Sequence, residues 1–149
     1  NNAGVLLDED DTVVIPEKLA GTLAVNVVGT TQFTEQIIPL MRQSGHIVHV
    51  SSTAGSIATT EAGESHWPRH YPAYRISKAA LNMYTATLAL RFAEEVPTVS
   101  AVHPGWVRTD IGGADADVSP EEAAVDIFAL ATSRPKTGGF WFKGERLAW

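Results

Sequence analysis

The chain has 149 residues, a formal charge of 11 − 17 = −6, 44% hydrophobic and 19% charged residues, and no cysteine. That length and composition fit one ordinary globular domain, and the acidic balance argues against nucleic acid or an anionic membrane as partner. Without cysteine there is no disulfide and no thiolate metal site; apolar runs too short for a bilayer and a first segment unlike a secretory signal are compatible with a cytoplasmic location.

In chain order, residues 1–7 read as the end of a strand entering a loop, and Asp8 to Asp11 as a solvated acidic stretch. Pro16 to Met41 reads as a helix with Leu19, Leu23, Val27, Ile37 and Met41 on one buried stripe; Gly21, Gly29 and several threonines weaken it. His46 to Val50 is a β-branched run after Gly45, hence a buried parallel strand. Residues 53–73 carry Gly55, Gly63, Pro68 and Pro72 without periodicity and read as a loop. A second long helix runs from Tyr74 to about Glu95, with Ile76, Ala80, Met83, Thr87, Leu88 and Phe92 available for packing. Thr98 to Val102 is a short strand. Ser119-Pro120-Glu121-Glu122 has the form of a helix start with a capping box, and that helix runs to about Thr132. Gly138-Gly139 turns into a last strand, Phe140 to Lys143. Strands alternating with helices imply an α/β doubly wound parallel sheet of Rossmann type. Ligands of such sheets bind beyond the carboxyl ends of the strands, where Ser51-Ser52 and the segment from Pro104 fall.

The chemistry concentrates at Tyr74 and Lys78. Four residues apart on a helix, their Cβ atoms lie about 5–6 Å from each other. A free phenol titrates near pH 10, and a neighbouring ammonium favours the phenolate. The pair is therefore expected to lower the tyrosine pKa and to present a phenol able to give or take a proton near neutral pH. Tyr71 is a rival tyrosine without a lysine partner, since position 75 is arginine. Ser51 and Ser52 compete for the catalytic serine, and Ser52 is preferred. His66 and His70 are four apart, but Pro68 lies between them and nothing completes a set of ligands, so no metal site is expected. The four tryptophans read as packing residues, with Trp106 placed to border a ligand pocket.

Asn1-Asn2-Ala3-Gly4, Asn26, Ser52, Tyr74-x-x-x-Lys78 and Pro104-Gly105 together resemble, in order and spacing, the motif series of the short-chain dehydrogenases/reductases. The resemblance covers essentially the whole chain. The helix from Tyr74 together with His103-Pro104-Gly105-Trp106-Val107 looks most like the C-factor-like branch. The resemblance implies a carbonyl reductase or alcohol dehydrogenase using NADP or NAD, with NADP slightly favoured. Tyr74 would be the general acid/base, and Ser52 would hold the substrate oxygen. Lys78 would tune the phenol and bind the nicotinamide ribose. Asn26 would hold a water linking Lys78 to solvent, and a local kink there would suit that role. Asn2, Ala3 and Gly4 would line the adenosine side, and Pro104, Gly105, Val107 and Thr109 the nicotinamide. The family's dimers commonly use the helices 16–41 and 74–95, which makes a homodimer an expectation.

The chain departs from the family in two places. It has no Thr-Gly-x-x-x-Gly-x-Gly turn, whose backbone would meet a pyrophosphate at a helix N-terminus, and it begins where the family's fourth strand ends. The expectation is the C-terminal half of the fold, belonging to a longer protein and binding cofactor poorly alone. A non-catalytic signalling or interaction protein on the same scaffold is the alternative. The gap from Ser52 to Tyr74 also exceeds the family's usual one. The extra residues, about Thr59 to His70, read as a polar rim or lid over the substrate cleft.

Overall fold

The computed structural model describes residues 1–42, 44–64, 70–92 and 97–149. The first predicted helix is built in pieces. α1 (Pro16–Leu23) passes into a π-helical segment (Ala24–Gly29), α2 (Thr30–Ile37) and a closing 3-10 turn (Ile38–Leu40). Three valines and Gly29 lie within or bound the π-helical segment, and both residue types are poor helix formers. The expected apolar stripe is not the buried line. Thr22, Asn26, Thr30 and Thr34 are the buried residues of this run, while Ile37 is at the surface. Spaced by four, these smaller side chains form one face along the helix. They lie where the run approaches α4 (Pro72–Arg91).

The sheet has the order β1 (His46–Val50), β2 (Thr98–Val102), β3 (Gly139–Phe142), β4 (Glu145–Leu147). The first three strands are parallel, with His46 opposite Thr98 and Ser100 opposite Gly139; β4 is antiparallel to β3. β4 went unforeseen, and the last strand ends one residue earlier than expected, at Phe142. Lys143 and Gly144 both have positive φ, the backbone of a tight hairpin turn, and this turn returns the chain as β4. Residues 1–7 are not a strand. Only the first of them touches β1: the Asn1 amino group donates to Val48 O and Val50 N donates to Asn1 O, each at 2.9 Å.

Alternation along β1 divides the layers. Ile47 points to one side and packs in the core with Leu88, Ala89 and Val99. His46 points to the other, where its ring lies 3.2 Å from Ala131 O of α5 (Pro120–Ser133). Helices thus cover both faces, as a doubly wound sheet requires. α5 starts with the expected capping box: Ser119 Oγ accepts from Glu122 N, and Glu122 Oε2 accepts from Ser119 N.

Two further expectations fail. Residues 53–73 are not a plain loop, because they contain a 3-10 turn (Thr53–Gly55) and α3 (Ile57–Glu61). Ser56 caps α3 by accepting from Thr59 N at 3.0 Å, the usual role of serine at a helix start. The lid reading falls partly on residues 65–69, outside the described residues, as does His66 of the doubtful histidine pair. On α4, Ile76 and Met83 are 42% and 68% exposed. The buried face there is Ala73, Ser77, Lys78, Leu81, Asn82, Thr85, Leu88 and Ala89, because the helix packs its small and polar side toward the sheet and α1. Among the described residues no helix is long and apolar enough to cross a membrane, and no group of three or more His, Cys, Asp or Glu could hold a metal ion.

Candidate active site

Beyond the carboxyl ends of β1 and β2 lies an open cleft of about 640 Å³. Of the residues singled out from sequence, Asn2, Gly4, Ser52, Tyr74, Lys78, Pro104, Gly105, Val107 and Thr109 line it, and Ala3 and Asn26 do not. Glu9, Asp10, Glu64 and His103 also line it. None of the four was singled out as a site residue, although His103 opens the run His103 to Val107 and Glu9 and Asp10 belong to the acidic stretch.

Ser52 follows β1 and ends its strand in extended backbone. Its Oγ accepts from Ala54 N at 3.1 Å and is hydrogen-bonded to the Tyr74 phenol. Ser51 looks elsewhere: it is buried and donates to Asn82 Oδ1, whose amide in turn donates to Gly55 O at 3.2 Å. Ser51 thus ties the strand end to α4.

Lys78 is 5% exposed. Its Nζ donates to Val50 O at 3.0 Å and stands 5.4 Å from the centre of the Tyr74 ring. The expected direction of the phenol shift is reversed. Burial pushes Tyr74 up to about 12, against the lowering effect of Ser52, and burial pushes Lys78 down to about 8. The spacing argument counted the attraction between ammonium and phenolate. It omitted the cost of taking both charges out of water, which here is the larger effect. At neutral pH the pair is a neutral phenol beside an ammonium, which is the state of a proton donor.

Asn26 sits in the π-helical segment, where a kink was expected. Its side chain is fully engaged: Oδ1 accepts from Val5 N at 2.7 Å, and Nδ2 donates to Val5 O and to Ser77 Oγ. It holds the strand-like entry segment against α4 in the manner of a short β-bridge. Gly4 runs beside both groups: a Cβ there would make ordinary contact with Asn26 Oδ1 at 3.5 Å and with Lys78 Nζ at 3.8 Å.

On the opposite wall, Gly105 has φ of 89° and approaches Val118 so closely that a Cβ would stand 2.9 Å from its methyl. The excursion from Val107 to Val118 is closed by a parallel bridge between those two residues. Trp106 Nε1 donates to Gly112 O at 2.7 Å, and Arg108 Nη1 to Ala116 O at 2.9 Å. Thr109 is exposed at the rim. His103 is half-buried beside the cleft and packs at a tilt of 44° against Phe142, with ring centres 5.0 Å apart; its Nδ1 has no hydrogen-bond partner among the described residues. Burial pushes its pKa down to about 4.

A sheet of three parallel strands, with helices on both faces and a cleft beyond its carboxyl edge, defines a Rossmann-type α/β protein. The comparisons agree with that class. The short chain dehydrogenase family profile matches residues 1–119, and the chain belongs to this family. It is 32% identical over 136 residues to C-signal of Myxococcus xanthus, covering 88% of this chain and 78% of that protein. It is 34% identical over 141 residues to the short-chain dehydrogenase anuI of Penicillium roqueforti, covering 89% and 55%. Among solved structures it is similar to the carbonyl reductase Sniffer of D. melanogaster, with a TM-score of 0.84, 30% identity, and coverage of 100% of this chain and 64% of that one. An NADPH-bound carbonyl reductase from chicken fatty liver gives a TM-score of 0.82 at 27% identity, with 99% and 64% covered. The chain thus spans 55% of the fungal relative's length and 64% of these two structures.

Proposed function

We propose that the protein to which this chain belongs is an NAD(P)-dependent oxidoreductase that reduces a small carbonyl compound or oxidises the matching alcohol. The observation that carries the reading is Tyr74, hydrogen-bonded to Ser52 and overlaid by Lys78 at the floor of one cleft. Tyr74 gives its phenolic proton to the carbonyl oxygen. Ser52 Oγ accepts from Ala54 N, which fixes the hydroxyl in place, and its proton turns from the phenol to steady the charge developing on that oxygen. Lys78 keeps two N–H groups beyond the one given to Val50 O, enough to hold a pair of ribose hydroxyls and to compensate the phenolate. With its side chain engaged by Val5 and Ser77, Asn26 holds a water toward Lys78 through its backbone carbonyl in the π-helical segment.

The nicotinamide side of a dinucleotide fits these residues. The absence of a side chain at Gly4 keeps the cleft open beside Lys78, and Gly105 brings bare backbone to the other wall. Pro104, Gly105, Val107 and Thr109 would hold the nicotinamide, and Asn2, Ala3 and Gly4 the adenosine side. When bound, the cofactor supplies the hydride; the protein orients and polarises. NADP is preferred over NAD, in keeping with the NADPH named for the chicken enzyme. The sequence holds no glycine-rich phosphate turn, which supports weak binding by these 149 residues alone. Ile76, Met83 and Leu90 are exposed at seven-residue intervals on α4, and such a stripe supports a homodimer.

The test is direct. Tyr74→Phe should cut NADPH-dependent ketone reduction by roughly a hundredfold or more and leave NADPH affinity intact; unchanged turnover removes the role given to Tyr74. Fluorescence titration of the 149-residue chain with NADPH should not saturate below about 1 mM, a binding energy near −4 kcal/mol. A non-catalytic signalling or interaction role is favoured by one observation, the similarity to C-signal over 78% of that protein. Wild-type chain that binds no nicotinamide cofactor in any context would select it.

A further inference from the structure

The helix that carries Tyr74 and Lys78 starts in an unfavourable way. Its N-cap residue, Tyr71, has φ of 46° and offers no side-chain cap. A residue before proline is normally extended, and the left-handed region is uncommon for a bulky side chain. Pro72 at the first helical position has no N–H to satisfy. The next two orphan donors of the first turn are the amides of Ala73 and of Tyr74 itself.

One side chain, 65 residues away, takes both. Asp8 Oδ2 accepts from Ala73 N at 2.6 Å and Oδ1 from Tyr74 N at 3.3 Å. Asp8 is 1% exposed and Ala73 fully buried, so Asp8 is not part of a solvated acidic stretch. It begins a tight turn closed by Asp11 N donating to Asp8 O at 3.0 Å. The end of that turn makes a further contact, with Tyr71 N donating to Asp11 O at 3.0 Å. Asp11 is in turn tied to Lys18 of α1 at 2.6 Å. The segment 8–11 therefore grips the start of α4 through three backbone donors, the amides of Tyr71, Ala73 and Tyr74, with only Pro72 among these four residues left out.

We infer that Asp8 is a positioning residue for Tyr74: by holding the Ala73 and Tyr74 amides it fixes the first turn of α4, and with it the phenol, relative to Ser52 and Lys78. This rests on the proton-donor reading of Tyr74. A charged acceptor suits the place, because a carboxylate accepting backbone N–H groups at a helix start makes stronger bonds than a neutral cap and meets the favourable end of the helix dipole. Tyr74 is faced by Ser52, Tyr71 and Lys78. A looser first turn would let water reach the buried pair.

The test needs neither cofactor nor turnover, so it stands apart from the catalytic proposal. Amide exchange and lysine titration by NMR are measured on the whole chain for wild type, Asp8→Ala and Asp8→Asn. In Asp8→Ala, exchange at Ala73 and Tyr74 should accelerate at least about tenfold, while Leu81 to Leu88 keep their protection. The Lys78 titration, which burial holds down to about 8, should move upward as its pocket hydrates. Asp8→Asn retains one acceptor oxygen and should lie between the other two in both readings. Unchanged exchange at Ala73 and Tyr74 overturns the inference. So does acceleration spread evenly along α4, or faster exchange with Lys78 still at its wild-type midpoint, since either marks a cap that only stabilises. If Asp8→Ala does not fold, Asp8→Asn decides by the same two criteria.

Discussion

Gly55 is the position where a single methyl group would test the packing around the site. A Cβ built there would stand 2.4 Å from the Lys78 carbonyl carbon, 2.5 Å from Ala79 N and 2.7 Å from Lys78 Cβ. Ordinary van der Waals contact begins at 3.4 Å, so the 3-10 turn must retreat by 3.4 − 2.4 = 1.0 Å. The obstacle is helix backbone and cannot swing aside. Retreat also strains the Asn82 Nδ2 to Gly55 O bond and its continuation to Ser51. Overpacking of this kind costs about 1–3 kcal/mol. At about 2–4 °C per kcal/mol for a chain of this size, Gly55→Ala should lower Tm by roughly 3–10 °C in a circular-dichroism melt. Ser52 Oγ caps the same turn, so a shift of about 1 Å would reach the catalytic geometry and cost on the order of a hundredfold in turnover. Gly63→Ala is the control: its φ is 72° and nothing lies within 4 Å, so it carries only left-handed backbone strain of about 1 kcal/mol. A Gly55→Ala chain melting within about 1 °C of wild type, or no lower than the control, would refute the close-approach argument.

The two serines should separate by assay. Ser51→Ala leaves Asn82 Oδ1 buried without its donor and should cost about 1–3 kcal/mol of stability, read as a urea midpoint; Ser52→Ala loses the cap of a short turn, should cost about 1 kcal/mol or less, and should depress turnover if the proposed role holds. Acid should destabilise the fold before the carboxylates titrate. Burial pushes His49 down to about 4 from its ordinary 6.5, so between those values the unfolded chain binds a proton that the folded chain refuses. Stability then falls as pH drops from 6.5 to 5, by about 1.5 kcal/mol for this group, and His103 acts in the same direction; a constant urea midpoint over that range would contradict both. Ser119→Ala removes the capping box of α5 and should cost about 1 kcal/mol, with a thermal melt as the check.

Patterns that are local in sequence were legible. The strands His46–Val50 and Thr98–Val102 came from β-branched runs, and α5 came from its serine, proline and glutamate. That Ser52, Tyr74 and Lys78 would meet at one cleft was legible too, because Ser52 follows a strand and Tyr74 and Lys78 are four apart on a helix. What escaped was set by partners far along the chain. The buried line Thr22, Asn26, Thr30 and Thr34 is polar, so a search for apolar period missed it; contact with α4, the first residues and His49 of β1 makes that face internal. β4 pairs in a three-residue strand, too short to carry a pattern. Asp8 looked like one of several solvated acids, and nothing in its neighbours tells that its carboxylate meets Ala73 and Tyr74.

The same distinction explains why spacing alone misjudged the phenol. Four residues on a helix bring Tyr74 and Lys78 together, but their protonation depends on what surrounds them. α4 is held by Asp8 at its first turn, by Asn26 through Ser77, and by the Gly55 turn against Lys78. Each hold draws a segment from before the helix over its buried face and excludes water from the pair. The exclusion raises the phenol and lowers the ammonium, so the resting pair is set to donate a proton. A phenol already ionised at neutral pH would serve alcohol oxidation instead. The contacts that pack α4 therefore also set the protonation of the resting pair, and loosening any one of them should move Tyr74 and Lys78 back toward their ordinary values together.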